Sequence, residues 1–245
     1  MNDQNSVIEF LKREPLLYAD VADGVKREIV NTIFLSETAL LAVNTAGFYL
    51  LCSTDLQGAG MALSHLCLKD GEQKMLVAHG NAAREATLKN CRVIRETKCH
   101  QCVYVGNTLP LRGDLVFLPP DECSVQKMQA VYALESPETI ARMAKNGQIL
   151  AAYLKPRGEK AERGEFVGFI GSHADGSMGM LHVFETHRRH GYAEEIESAQ
   201  INRYLSEDRL PFGHVIEGND ASYSLQRKLG LSFAEEYVTW MLLEK

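Results

Sequence analysis

A short basic segment in the second half of the chain has the residue types of a phosphate-binding turn. It runs from Arg188 to Ala193, between the apolar run 178–183, which predicts a strand, and a segment that predicts a helix. Small residues such as Gly191 let the backbone approach a ligand, and the N–H groups of a helix's first turn point outward at the positive end of the dipole. The pattern predicts a phosphate site, although many surface helices also begin after a glycine.

A second pattern follows in residues 215–231. It has the order strand, capped helix and glycine stop. Asn219 or Asp220 can cap the helix, leucines four residues apart share one face, and Gly230 provides the left-handed conformation that ends it. The two patterns are therefore strand–helix units, each with a polar residue or glycine at the helix start.

In this order and spacing, the two patterns resemble the GNAT acyltransferases, which bind acetyl-CoA or another acyl-CoA. In that family an R/Q-x-x-G-x-G/A turn follows the fourth strand, and an N-x-x-S/A helix ending in G-F/L follows the fifth. The resemblance covers roughly the last half of the chain. It implies an α/β (α+β) fold, with a mixed central sheet and flanking helices. The matching positions are Arg188, Gly191 and Ala193 in the turn, and Asn219, Ser222, Gly230 and Leu231 in the later helix.

The resemblance also implies how acetyl-CoA would be bound and used. The thioester would lie between the fourth and fifth strands, a backbone N–H near Val183 would polarise its carbonyl, and an amine would attack directly. No cysteine lies in this half of the chain, which argues against a cysteine acyl-enzyme built there. The acyl-CoA-binding residues implied are Leu181, His182, Val183, Arg188, Arg189, His190, Gly191, Tyr192, Ala193, Asn219 and Ser222.

The candidate catalytic residues are Glu217, His182 and Gln226. Glu217, after the fifth strand, is the favoured general base, and His182, on the fourth, is the second candidate. A surface carboxylate and a hydrogen-bonded strand histidine are the alternatives. Many family members carry a tyrosine where this chain has Gln226, which can hydrogen-bond a thiolate but cannot protonate it. Tyr223, one turn earlier, is a substitute acid or simply a packing residue.

Composition excludes several classes of protein. The 245 residues carry a formal net charge of −6, so general affinity for nucleic acid or an anionic membrane is not expected. The N-terminus lacks the pattern of a secretory signal, and no apolar run is long enough to cross a membrane. We therefore expect a cytoplasmic protein that acts on a small-molecule amine or amino acid, and a homodimer remains open.

All six cysteines lie in the first half of the chain. Cys99 and Cys102 have the spacing of a redox motif or half a zinc site, but no second pair of this kind is present, so no metal is predicted. The alternation that continues through residues 102–105 favours a strand instead.

The elements suggest an N-terminal α+β domain, residues 1–110, and an acyl-CoA-binding domain, residues 111–245. In the first, helical spacing is expected around Val25, Ile29 and Ile33, and a hairpin is expected from strands at 48–52 and 61–65. The later strand, glycine turn and helix at 74–88 imitate the second half, so the first half is a candidate for a degenerate copy. In the second, the pattern predicts strands at 115–118, 148–154, 165–172, 178–183 and 237–242, and helices at 125–134 and 137–145.

Within the superfamily, the strand Gly168–His173 and the ending Val238–Trp240 resemble the glycine N-acyltransferase-like branch. That branch implies an amino acid or small amine as acceptor, and His173, Asp175 and Ser177 face the acceptor or form an ordinary turn. Two other classes stay open. One is a CoA-binding sensor without turnover, and the other is a scaffold that binds no CoA.

Overall fold

The computed structural model describes residues 4–156 and 164–245. These form two compact units. One contains the residues up to Tyr104 together with Phe212–Lys245, and the other is Val105–Pro211.

The first unit is a mixed sheet with helices. Its strands follow the order β1-β2-β3-β4-β11-β5-β10, with β3 and β4 parallel. Apolar side chains bury both faces of the sheet, and α1 and α2 cover one of them. The elements are α1 (Gln4–Leu11), α2 (Ala19–Lys26), β1 (Val30–Leu35), β2 (Ala39–Asn44), β3 (Tyr49–Ser53), α3 (Leu56–Leu63), β4 (Gln73–His79), α4 (Gly80–Asn90), β5 (Arg92–Val103), β10 (Phe212–Ile216), α8 (Asp220–Lys228) and β11 (Ser232–Glu244).

The second unit is an antiparallel sheet packed against α5, α6 and α7. Its strands follow the order β9-β8-β7-β6. The elements are β6 (Leu115–Leu118), α5 (Glu122–Val131), α6 (Pro137–Lys145), β7 (Ile149–Leu154), β8 (Phe166–Ser172), β9 (Met178–Val183) and α7 (Tyr192–Ser206), with a single 3₁₀ turn at Glu185–His187.

The order of elements repeats along the chain. A helix pair, three antiparallel strands, a helix, a strand, a helix and a long final strand make up α1 to β5, and the same order follows β6 in α5 to β11. The two long final strands are exchanged, because β11 pairs with β4 while β5 pairs with β10. This repeat is what the degenerate-copy hypothesis requires.

The strand exchange also explains why the compact units differ from the domains predicted from sequence. Because β10 and β11 hydrogen-bond to β5 and β4, the last strands join the first unit. The units change at Tyr104, near the predicted boundary, and again at Pro211, inside the predicted second domain. The division into 1–110 and 111–245 stays a prediction.

Two local predictions in the first unit are wrong. The expected strand at 61–65 is part of α3, because the Asp55 carboxylate accepts from the N–H of Gly58 and starts a helix there. β3 pairs instead with β2 and β4. Ile33 lies on β1, and Ile29 precedes it, so their spacing is not helical.

A buried ion pair joins α2 to the end of β4. Nε2 of His79 lies 2.9 Å from both carboxylate oxygens of Asp20, and Nδ1 lies 3.1 Å from the carbonyl oxygen of Leu51. An imidazolium that donates from both nitrogens satisfies the Leu51 carbonyl and the Asp20 carboxylate together. Burial alone would lower the pKa of His79, but the Asp20 carboxylate raises it well above its ordinary value.

We expect Asp20→Asn to destabilise the protein by about 3 kcal/mol, because it leaves a buried imidazolium without its counter-charge. Burial would raise the pKa of Asp20, but His79 lowers it. The stabilising effect of Asp20 is therefore present above its unfolded pKa and lost as pH falls through the folded value. That of His79 is present below its unfolded pKa and lost as pH rises through its raised folded pKa. Urea unfolding of both proteins should show the largest difference between about pH 4 and 6.5.

Glu9→Gln is the control, since it removes an exposed carboxylate that pairs with Lys12 and should change stability little. A difference between wild type and Asp20→Asn that is as small as the control, or independent of pH, would contradict the charged pair.

Candidate functional site

The basic turn lies at the carboxyl end of β9, as the sequence predicts. β9 ends at Val183, the 3₁₀ turn follows, and α7 begins at Tyr192. The strand, turn and helix predicted around Arg188–Ala193 are therefore confirmed as local structure.

Two residues of the turn have left-handed backbone conformations. Arg189 has φ +63°, and Gly191, the N-cap of α7, has φ +80°. A Cβ on Gly191 would meet Nη1 of Arg112, the far end of a half-exposed side chain. Position 191 therefore favours glycine for its backbone conformation, and a larger residue would displace the guanidinium of Arg112.

The first turn of α7 has no side-chain cap, since glycine has no side chain to provide one. The equivalent positions of α3, α5, α6 and α8 each carry a side chain that accepts from a first-turn N–H. The first N–H groups of a helix need an acceptor from outside the helix, and an anion suits them because of the dipole. The starts of α2 and α4 also lack a side-chain cap, so what distinguishes the start of α7 is the arginines beside it.

The charges around the turn agree with this. Nε of Arg188 donates to the carbonyl of Val183 (3.1 Å), and its Nη1 lies 3.7 Å from the exposed carboxylate of Glu185. The Arg188 side chain is more than half exposed, so this ion pair is weak. Arg189 is exposed as well. The acidic residue Glu195 is buried, and its carboxylate accepts from the N–H of Gly113 (2.9 Å). Two cationic side chains therefore border the helix start, while this carboxylate is directed at the 113 loop.

A bulge interrupts β9 just before the turn. The pairs Phe169↔His182 and Gly171↔Gly179 leave one extra residue on β9, and Met180 has φ +57°. Leu181, the next residue, is only partly buried. Such a bulge redirects the following side chains and backbone groups. The segment 181–183, predicted to bind acyl-CoA, therefore follows the bulge at the end of this strand.

His182 is a neutral, partly exposed side chain on β9. Its ring stacks on Phe169, with centroids 5.5 Å apart, and contacts Phe184 edge-on at 5.3 Å. Burial lowers the pKa of His182, and the nearby Arg188 lowers it further. The imidazole is uncharged at neutral pH and so has the protonation state of a base.

Glu217 directly follows β10 in the first unit. Its N–H donates to the carbonyl of Lys98 (3.0 Å), which fixes the backbone, and its side chain is exposed. A hydrogen bond from the hydroxyl of Tyr237 to the Glu217 carboxylate raises the pKa of that tyrosine. The carboxylate is therefore oriented by β11 and accessible to solvent.

The helix of the second pattern is α8. Oδ1 of Asn219 accepts from the N–H of Ser222 (3.2 Å), so Asn219 is the cap of α8. Gln226 is buried. Tyr223 lies against Phe233, with ring centroids 4.3 Å apart, and accepts from Arg227 (2.9 Å). Tyr223 is therefore a packing residue in this structure.

The β8–β9 hairpin is an ordinary turn. Oδ1 of Asp175 accepts from the N–H and the hydroxyl of Ser177, at 3.0 and 2.8 Å, and both residues are buried. His173 pairs with Glu135 at 3.4 Å. The turn alternative therefore describes Asp175 and Ser177.

Sequence reasoning missed Arg112, whose guanidinium donates to the carbonyl of His190 in the basic turn. The loop before β6 carries no local signal of this contact, which arises because the loop packs against α7, where the N–H of Gly113 donates to Glu195. The expectation that Cys99 and Cys102 lie on a strand is confirmed: both are buried on β5.

No cluster of three or more metal-ligating side chains occurs within residues 4–156 and 164–245. In the same residues no helix could span a membrane.

Comparisons with known proteins agree with this architecture. Residues 141–240 match the family model described as FR47-like protein, and this range contains both the basic turn and α8. A search of curated proteins finds no match.

Solved structures match almost the whole chain. A Drosophila protein has a TM-score of 0.67 at 12% identity, covering 98% of this chain and 95% of its own. A Novosphingobium aromaticivorans protein, provisionally assigned as a GNAT-family acetyltransferase, has 0.55 at 16%, covering 95% and 97%. A GCN5-related N-acetyltransferase from Sphaerobacter thermophilus has 0.50 at 13%, covering 97% and 91%.

At these identities the likeness establishes the fold. The chain has the GNAT fold, and the predicted α/β (α+β) class, with a mixed central sheet and flanking helices, is confirmed. Membership of the GNAT superfamily stays a prediction, because the family model covers residues 141–240 and the solved structures show the fold. The glycine N-acyltransferase-like branch stays a prediction.

We expect Gly191→Ala to destabilise the protein more than Gly218→Ala. Both glycines have left-handed φ values, +80° and +86°, so both substitutions introduce strain of about 1–2 kcal/mol. A Cβ at 218 meets nothing within 4 Å, whereas a Cβ at 191 displaces the guanidinium of Arg112 and so breaks its hydrogen bond to the His190 carbonyl. Urea unfolding of the two variants measures the difference. Equal losses would contradict the close approach of Arg112 to the turn.

Proposed function

We propose that this protein is an acyl-CoA-dependent N-acyltransferase, with acetyl-CoA as the donor and a primary amine of a small molecule or amino acid as the acceptor. The observation that carries the proposal is the uncapped start of α7 beside Arg188 and Arg189, in a chain with the GNAT fold. Backbone N–H groups at a helix start, together with arginines, are a suitable partner for a pyrophosphate.

The remaining residues proposed to bind acyl-CoA contact different parts of it. His190, Gly191, Tyr192 and Ala193 supply the turn and its N–H groups for the pyrophosphate. Leu181, His182 and Val183 line the pantetheine arm, and the backbone N–H near Val183 polarises the thioester carbonyl. Asn219 and Ser222 contribute from α8.

Glu217 is proposed as the general base. It is exposed, follows β10 directly and is oriented by Tyr237. The amine attacks the thioester carbon, its proton passes to the carboxylate, and the carbon–sulfur bond breaks to release CoA thiolate. Gln226 cannot protonate that thiolate, so a hydrogen bond from its amide and a proton from solvent complete the step. His182, neutral at working pH, is the second candidate for the base.

The first half of the chain is proposed to bind no acyl-CoA. In the repeated order of elements, α3 occupies the place of α7, and the start of α3 is capped by the Asp55 carboxylate (Oδ1 to Gly58 N, 2.6 Å). A carboxylate at this position satisfies the N–H and repels a phosphate. The proposal therefore gives one acyl-CoA per chain.

A CoA-binding sensor without turnover is the second candidate. The observation that favours it is Gln226, which cannot donate a proton at the position where many GNAT members carry a tyrosine. A sensor binds CoA but forms no product with any amine.

We expect calorimetry to give one site per chain for acetyl-CoA and CoA. In the double variant Arg188→Ala, Arg189→Ala, affinity should fall by about tenfold or more, because two charge-assisted contacts to phosphate are lost. The matched control removes two exposed cations from the last turn of α6, Arg142→Ala with Lys145→Ala. Absence of binding by either ligand would rule out both the enzyme and the sensor, and equal losses in both variants would displace the site from the turn.

We expect Glu217→Gln to lower kcat by about 10² while leaving the affinity for acetyl-CoA unchanged, since it removes the base but no CoA contact. The assay follows release of the CoA thiol across a panel of amines and amino acids. Glu235→Gln, an exposed carboxylate on β11, is the control. A Glu217→Gln enzyme as fast as wild type would transfer the role of base to His182 or remove it from the side chains.

A further inference from the structure

The loop before β6 places a third arginine at the basic turn. Nη1 of Arg112 donates to the carbonyl of His190, and the guanidinium occupies the space that a side chain at Gly191 would fill. Arg112 lies outside both sequence motifs, 78 positions before its partner.

The backbone is anchored at the two residues that directly follow Arg112. The N–H of Gly113 donates to the buried Glu195 carboxylate of α7 (2.9 Å), and the carbonyl of Asp114 accepts from the N–H of Lys155 (2.9 Å). An anchored backbone holds the guanidinium at the turn before any ligand arrives, which reduces the entropy lost on binding.

The guanidinium retains donors for a ligand. Arginine has five N–H donors, and the structure engages one nitrogen with His190 and another with Asp114 (3.0 Å). The side chain of Arg112 is 54% exposed and that of Asp114 47%, so this ion pair is largely solvated and weak. A weak exposed pair does not account for an arginine held against the N-cap of α7.

We infer that Arg112 binds a phosphate group of CoA, as a third cation alongside Arg188 and Arg189. The inference rests on the proposed function, because it assigns a further residue to the same acyl-CoA site. CoA offers two phosphate sources, the pyrophosphate and the 3′-phosphate, and the guanidinium fork suits either.

The test compares wild type, Arg112→Ala and Arg112→Lys by calorimetry with CoA and with 3′-dephospho-CoA. Arg112→Ala should weaken CoA binding about tenfold, and Arg112→Lys should weaken it less, because lysine keeps the charge and loses the fork. A loss shared by both ligands assigns Arg112 to the pyrophosphate. A loss confined to CoA assigns it to the 3′-phosphate. Arg142→Ala, an exposed arginine on α6, is the control and should bind as wild type does.

A second measurement separates binding from support of the turn. In the ligand-free Arg112→Ala variant, the ¹H–¹⁵N resonances of Tyr192 and Ala193 should stay close to their wild-type positions. CoA affinity equal to wild type would overturn the inference, as would an affinity loss accompanied by large shifts of these resonances, which would make Arg112 a positioning residue.

The outcomes also separate this inference from the proposed function. Loss of CoA binding in the Arg188, Arg189 variant with none in Arg112→Ala leaves the acyltransferase proposal standing and removes Arg112. A wild-type protein that binds no CoA overturns both.

Discussion

The first N–H groups of α7 set the requirement around which the second unit is arranged, because a helix start needs acceptors and this one has no capping side chain. Gly191 reverses the chain in a left-handed conformation, and the anchored loop before β6 places Arg112 against it. Glu195, which would oppose an anion at a helix start, is instead buried against that loop. Each of these features favours an external anion at the same backbone groups.

The corresponding helix of the first half differs in its first turn. There Asp55 supplies its own carboxylate to the start of α3, where it accepts from the N–H of Gly58. His79 and Asp20 have a structural role in that half, because these two buried ionisable side chains pair with each other. The helix start of the first half is therefore capped by a side chain, whereas the start of α7 in the second half is not.

Sequence reasoning succeeded where the signal was local. The turn at Arg188–Ala193, the cap at Asn219 and the strand carrying Cys99 all depend on neighbouring residues. It failed at residues 61–65, where alternating apolar residues resemble a strand until the cap at Asp55 is recognised. It also missed Arg112 and the exchange of β5 with β11, because strand order and contacts between distant residues leave no trace in local spacing.

Backbone amide spectroscopy during a CoA titration tests whether the pyrophosphate binds at the start of α7. The largest ¹H–¹⁵N shifts are expected at Gly191, Tyr192 and Ala193, whose N–H groups would bind the pyrophosphate. Gly58, at the start of α3, is expected not to shift. Shifts centred on Gly58, or none at α7 on addition of saturating CoA, would contradict binding at this site.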